Sequence, residues 1–597
     1  MASINHPPET VVVEPTMVVN IPGQGSVRGV RNKDSDLVRF LNIPYATVTK
    51  RWRNASPVKA WRGIRDATHY GPMCPQQLVG KSTDVSKLFG MPAVNDGFHY
   101  SFSERDCLNL AIYVPDLTRA SLPVGGIPVV VRIHGGRLRN GGNAHPVHDM
   151  SNFVLASVKA QKPVIAVAIN YRLGCLGFFA SNELAFEFDS DPDNILHNRT
   201  HDQDPAFGNW GLADQRLAFE WIRKNIGAFG GDASNVTALG YSAGGTAIMN
   251  HMMIPSHHGL FSRAIVHSGG STVILARYAY FQCQKTFDLL YNYVRAVNTA
   301  IKSAQEDTPY RSVHEQELLQ RAHTLRNASV ETLMQAPQFK GNNSILYPNL
   351  DNKFLFPSPK SLIASDSPHF DPGVKSILFS STANEGTLFT SSNGATSLQK
   401  WRSFLDRWVD PKLHQDVESL YGKPQTDADA ITFSGDIVGD ILVAYPTLSS
   451  CQGYLAQKDE HQVLYRQYID RSLEAVDKWG QGLGVPHGTD MAFTTMSDLN
   501  QLYMTEREKA FGYRVMEKYL QFAYGLGFDG LDRIGHGEAE IKDGNGAVVW
   551  SKDFEFRTGD FERMNNRKID LWRKNEEWAA RQRPPQPLGS ANARPKL

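Results

Sequence analysis

What this 597-residue chain lacks narrows its class before any motif is considered. No apolar run reaches the ~18 residues that a spanning helix needs, so no integral membrane segment is expected. Lysine and arginine (62) nearly balance aspartate and glutamate (61), leaving a net charge of +1. An overall basic field for nucleic acid or an anionic lipid surface is therefore missing. There are only five cysteines, and no Cys/His spacing resembles a zinc site. His314-Glu315-Gln316-Glu317-Leu318 begins like a zinc-protease helix but has no second histidine, and reads as a solvated helix. No internal repeat or low-complexity tract stands out. The stretch Met1 to Glu14 carries prolines and acids without the apolar core of a secretory leader, so a cytoplasmic protein is expected. Non-classical secretion, or the peroxisome on the strength of the ending Pro595-Lys596-Leu597, stay as alternatives.

What is present is the composition of a globular protein with a large core, 41% hydrophobic and 21% charged. Its most informative stretch is Gly240-Tyr241-Ser242-Ala243-Gly244. The preceding Asn235–Leu239 reads as a buried strand, and Gly245–Asn250 as the start of a helix. A serine forced onto such a turn projects its hydroxyl out of the sheet, with glycines two positions either side relieving the clash. Serine is a weak nucleophile at neutral pH and needs a base, an acid to orient that base, and donors for an oxyanion. Downstream, the strand-like Lys375–Ser380 leads to Asn384-Glu385-Gly386. Another strand candidate, Val463–Tyr468, is followed at some remove by Pro486-His487-Gly488. The order Ser242, Glu385, His487 is that of an α/β-hydrolase triad. Upstream, the strand Ile127–Ile133 runs into His134-Gly135-Gly136-Arg137. The backbone N–H groups of Gly136, Arg137 and Ala243 are the expected oxyanion donors.

Six further segments make the chain resemble the type-B carboxylesterase/lipase family, which includes cholinesterases, microbial lipases and the catalytically silent neuroligins. They are Phe40–Ala46, Ser103–Leu110 (with one residue inserted), Asn170–Phe178, Gly208–Gln215, Phe229–Asp232 and Arg263–Gly269, and the resemblance as a whole runs over about residues 10–500. The resemblance implies an α/β-hydrolase fold: a central, mostly parallel twisted sheet with helices on both faces and large helical insertions. Residues 1–560 would form one domain, with a lid-like loop 74–107 and helical insertions 275–370. Residues 561–597 would form a charged helix and a disordered tail. The helix places Met564, Leu571 and Trp578 seven apart on one face, and Ile541–Trp550 reads as a hairpin.

The resemblance also implies a disulfide between Cys74 and Cys107, against which stands the absence of a leader: a reducing cytosol would keep both as thiols. It places Ser268 in a polar network beside the triad. Two positions depart from the family pattern. Tyr241 stands where many active members have glutamate, and Arg137 where many have a third glycine. Together they shift the local formal charge by about two units towards positive. Anionic or polar acidic esters are the preference this suggests, with Arg137 pairing a substrate carboxylate; a role for Arg137 in holding its own loop is the alternative. The expected activity is ester cleavage through an acyl-enzyme, on a small-molecule ester, without metal or organic cofactor. A lactonase, an acyl transferase or a silent binding protein are the competing readings, and the oligomeric state stays open.

Overall fold

The computed structural model describes residues 16–31, 36–76, 100–116, 125–201, 204, 207–270, 279–297, 312–337, 370–390, 394–469, 473–474, 484–527, 548–552 and 566–581. Strands rich in β-branched residues and buried end to end, such as Ile127–Ile133 and Ile165–Ile169, have no solvent face. Strands of that kind belong in the middle of a sheet covered on both sides.

The strands are β1 (Thr16–Ile21), β2 (Gly25–Arg31), β3 (Leu37–Pro44), β4 (Asn109–Pro115), β5 (Ile127–Ile133), β6 (Ile165–Ile169), β7 (Gly231–Tyr241), β8 (Arg263–His267), β9 (Ser376–Thr382), β10 (Val463–Ile469) and β11 (Val548–Lys552). Their spatial order is β1-β2-β3-β4-β6-β5-β7-β8-β9-β10-β11, and Ile64–Asp66 adds to β2. From β6 to β10 every pairing is parallel. The flanking β1 to β4, and β11 at the far edge, pair antiparallel. The sheet is thus mixed, with a parallel centre.

Alternation along the strands divides the core. Val129, Val131 and Ile133 of β5 join Val236 and Ala238 of β7 on one face, under the helices Trp210–Asn225 and Ala243–Met253. Val130 and Leu239 face the other way, onto Phe153 of the helix Ser151–Lys159 and Met516 and Tyr519 of Glu506–Ala523. A parallel centre leaves the C-terminal ends of β5, β7, β9 and β10 on one side, where loops can converge. Two of the family-like segments meet inside: Arg172 Nη2 and Asp214 Oδ1 form a fully buried ion pair at 2.7 Å.

Outside the sheet, helices Ala279–Val297, Val313–Asn327 and Val330–Gln335 occupy part of the 275–370 region, and the rest of that region lies outside the described residues. So does most of the loop 74–107, as do residues 541–547 of the expected hairpin. Val548–Lys552 pairs with β10. The C-terminal helix runs over Asn566–Arg581 and buries Lys568, Leu571, Trp572, Asn575 and Glu576. These follow helical spacing, but three of the five are polar. Of the three residues expected on one face, Leu571 is buried, Trp578 is partly so, and Met564 lies outside the described residues. No helix among the described residues is long and apolar enough to cross a membrane.

Candidate active site

β7 ends at Tyr241, the helix begins at Ala243, and Ser242 between them has φ 55° and ψ −122°. For a residue with a side chain this conformation costs roughly 1–3 kcal/mol and persists only where the surroundings enforce it. They do so here. Ser242 N–H donates to His267 O on β8 (2.8 Å), and Thr246 N–H to Ser242 O (3.0 Å). A β-carbon on Gly240 would overlap Gly244 O, which explains the small residue before the nucleophile position. Ala243, as the first helical residue, has an N–H without an intrahelical acceptor, aligned with the positive end of the helix dipole.

Glu385 sits just past β9 and His487 in a loop whose Pro486 bridges Asn384. The two side chains meet: His487 Nδ1 and Glu385 Oε2 are 2.5 Å apart, both buried. The other carboxylate oxygen, Oε1, accepts from Thr382 N–H (2.7 Å) and Ser268 Oγ (2.7 Å). Nδ1–H of His487 is therefore committed to the carboxylate, leaving Nε2 as the ring nitrogen free to take a proton. His487 lies beside the elbow, its ring 5.0 Å from that of Tyr241 and 4.9 Å from that of Phe389.

A second acid–imidazole pair, which no sequence motif marks, lies beside the first. Asp490 is wholly buried on the first turn of the helix Thr489–Thr495, three residues after His487. Its Oδ2 meets His267 Nδ1 at 2.8 Å and lies 3.3 Å from Ser268 Oγ. Ser268 thus stands between Glu385 and Asp490. Burial works to raise the Asp490 carboxyl, but His267, bonded to it, and His487 hold it below the ordinary range. Burial, then the carboxylates of Asp490 and Glu385, push the Tyr241 phenol far up, so Tyr241 is a neutral group where the family often has an anion. Arg132, buried on β5, donates through Nη2 to His148 Nδ1 (3.0 Å). Burial brings its guanidinium down to about 10. The signal for Asp490 in the sequence is its one-turn offset from His487; that for His267 is its place directly before Ser268.

The candidate oxyanion loop follows β5. Gly136, Arg137 and Leu138 have φ of 97°, 57° and 58°, three successive left-handed residues of which two carry side chains. A β-carbon on Gly136 would overlap Asn140 O. The loop is pinned by Gln76, which accepts from Gly141 N–H (2.7 Å) and donates to Gly141 O (2.8 Å). The loop adjoins the elbow: a β-carbon on Gly135 would lie 2.8 Å from Tyr241 O and 3.1 Å from Ser242 Cβ. The Arg137 guanidinium lies over the Phe389 ring, 4.7 Å from its centroid. Phe389 thus touches both Arg137 and His487.

Cys74 and Cys107 are free, buried thiols, so the implied disulfide is not formed. Leu173 N–H donates to Cys74 Sγ (3.2 Å), and Cys107 Sγ to Glu104 O (3.7 Å). The hydrogen bond with Cys74 and then burial push the Cys107 thiol well up, away from the reactive thiolate. No group of three or more His, Cys, Asp or Glu suited to a metal occurs among the described residues.

Three buried histidines make a prediction about acid stability. Burial first of all lowers His134, in the oxyanion loop, to about 4. His251 and His257, at the far end of the elbow helix, are lowered to about 3 and about 2. Their bonding suits neutral rings: His251 Nε2–H donates to Gln215 Oε1 (2.9 Å), and its Nδ1 accepts from His257 Nδ1–H (2.8 Å). Because these native values lie below the unfolded ~6.5, the unfolded chain takes up protons that the native one refuses as pH falls. Their contribution is whole above ~6.5 and declines below it by ~1.4 kcal/mol per pH unit per histidine. Urea titrations from pH 7 to 5 are expected to show a slope shallower by about two protons in His251→Gln/His257→Gln than in wild type. An unchanged slope contradicts the assignment.

The model of the carboxylesterase family matches residues 15–190 and 196–525. Para-nitrobenzyl esterase of Bacillus subtilis is 30% identical over 402 residues, 66% of this chain and 69% of that protein. Acetylcholinesterase of Leptinotarsa decemlineata is 27% identical over 518 residues, covering 81% and 74%. Human carboxylesterase 3 is 27% identical over 533 residues, covering 84% and 81%.

Proposed function

The chain belongs to the carboxylesterase family and is a carboxylic ester hydrolase with the α/β-hydrolase fold; from that premise we propose that it works through an acyl-enzyme on Ser242. The observation that carries this reading is the 2.5 Å contact between Glu385 and His487, whose ring packs 5.0 Å from that of Tyr241 at the strained elbow. Ser242 Oγ attacks the ester carbonyl as His487 Nε2 takes its proton, and Glu385 stabilises the imidazolium through Nδ1–H. The N–H groups of Gly136, Arg137 and Ala243 receive the oxyanion. Collapse of the tetrahedral intermediate expels the alcohol, protonated by His487. Water, deprotonated by the same nitrogen, then attacks the acyl-enzyme and frees the acid and Ser242. Rapid mixing with p-nitrophenyl butyrate is expected to release a burst of one p-nitrophenol per active chain; steady release without a burst, when deacylation is made limiting with a bulky acyl group, speaks against the covalent route.

For the substrate, we propose that Arg137 favours esters whose acid carries a second, ionised carboxylate. Its support is the position of the guanidinium on Phe389, next to His487, together with the neutral Tyr241 in place of an anion. Replacing Arg137 by alanine should lower kcat/KM for a mono-p-nitrophenyl succinate by about tenfold, the scale of one charge-assisted hydrogen bond, and leave p-nitrophenyl butyrate within about twofold. Equal changes for both esters return Arg137 to the role of holding its loop.

A further inference from the structure

The C-terminal helix Asn566–Arg581 lies beyond the residues matched by the family, yet it is anchored at several buried polar points. Asn575 caps a loop by accepting from Asp410 N–H (2.8 Å) and donating to Trp408 O (3.0 Å). Trp572 Nε1–H donates to Tyr421 Oη (2.8 Å), and Tyr445 Oη donates to Glu576 Oε2 (2.9 Å). Lys568 Nζ pairs with Asp440 Oδ2 at 3.1 Å, and Tyr421 Oη donates to the same oxygen. Lys568 and Asp440 are each only 8% exposed, so removing one partner leaves the other as a largely buried, uncompensated charge.

Asp440 opens a π-helical turn, Asp440–Ala444, directly after the helix Asp427–Gly439. That helix presents Gly435 and Gly439, one turn apart, to the backbone that carries Glu385. A β-carbon on Gly386 would overlap Gly435 O, and one on Gly439 would stand 2.6 Å from Gly386 N and 3.4 Å from Glu385 C. The Glu385–Gly386 turn therefore rests on bare helix backbone. Beside this contact is a cavity of about 30 Å³, room for water but not for an ester. Thr382 and Gly386 line it together with Asp436, Gly439, Asp440 and Lys568. An apolar path runs parallel to the polar one: Leu571 and Trp572 share a core cluster with Val438, Ile441 and Phe389, and Phe389 packs on His487.

We infer that the C-terminal helix sets the position of Glu385: its Lys568–Asp440 pair fixes the π-helical turn and the glycine face on which the Glu385–Gly386 turn is seated. Lys568 and Asp440 are then positioning residues for ester hydrolysis. This rests on Glu385 being the acid that orients His487, and a double-mutant cycle in the full-length chain separates the two claims. Lys568→Met is expected to lower kcat for p-nitrophenyl butyrate by about tenfold, one decade of barrier, with KM within about twofold. Lys568→Arg, which keeps the cation, restores most of kcat. Lys574→Met, on the exposed side of the same helix, behaves as wild type. In a Glu385→Gln background Lys568→Met adds less than about twofold, because the group it positions is already gone. A folded Lys568→Met with wild-type kcat, or an undiminished loss in the Glu385→Gln background, overturns the inference. Glu385→Gln with wild-type activity overturns the assignment of the acid instead. Should Lys568→Met fail to fold, Gly439→Ala presses on the same turn from the helix side; it is expected to lower kcat at constant KM, and an unchanged kcat counts against the inference.

Discussion

Ser242→Ala loses all labelling by a fluorophosphonate probe, and its kcat for p-nitrophenyl butyrate falls by at least about 10⁴-fold, as expected when the nucleophile of an interdependent triad is removed. The fold should survive. Alanine has the same backbone as serine at φ 55°, and the turn is held by Ser242 N–H on His267 O and by Thr246 N–H on Ser242 O, neither of which uses the hydroxyl. A thermal midpoint close to wild type, combined with loss of labelling, separates chemistry from stability. The same experiment tests the silent-binding alternative: wild type that does not label at all, despite a folded elbow, would place this chain with the inactive members.

The second large effect concerns Glu385→Gln, which is expected to lower kcat by roughly 10³–10⁴-fold. The size follows from how the carboxylate is held. Oε1 accepts from the Thr382 backbone N–H at 2.7 Å, a donor that has no alternative orientation. A glutamine must therefore turn its amide oxygen towards Thr382 and its NH₂ towards His487 Nδ1. That nitrogen then has to accept, so the proton moves to Nε2 and the ring is no longer a base towards Ser242. Ser268→Ala is the milder companion change, since Thr382 still holds Oε1 when the hydroxyl of Ser268 is lost. Steady-state kinetics of both variants decide the matter. A Glu385→Gln enzyme within about tenfold of wild type would mean that another group orients His487, and Asp490, which reaches Ser268 Oγ at 3.3 Å, is the next to replace.

Much of this site is legible in the chain because its elements are local. The strand, turn and helix around Ser242 involve adjacent residues, and the steric demand of the turn writes glycine at 240, 244 and 245. Side-chain chemistry assembled from distant parts of the chain leaves weaker traces. His267 and Asp490 are 223 positions apart, and their places beside Ser268 and one turn after His487 do not by themselves say that the two side chains meet. The cysteines show the same limit: pairing by resemblance implied a bond, whereas Cys74 and Cys107 are free, buried thiols with hydrogen-bond partners of their own.

Arg137 and the C-terminal helix mark the boundary most clearly. From the sequence alone Arg137 is a charge in a glycine's place; its left-handed φ of 57° and its seat on Phe389 depend on the loop being pinned by Gln76 and on β9 bringing Phe389 alongside. Apolar spacing locates a helix near residue 570 and picks out its buried Leu571, but not Lys568, Asn575 and Glu576, which are buried through polar partners in other elements. The sequence by itself determined the ester-cleaving family, the strand-to-helix elbow and the order of the candidate triad, since backbone sterics and hydrophobic period act over a few residues. Which polar groups sit behind Glu385, and that a helix nearly two hundred residues later reaches the turn it stands on, were decided only by tertiary packing, where a buried charge must find its partner wherever the chain happens to bring one.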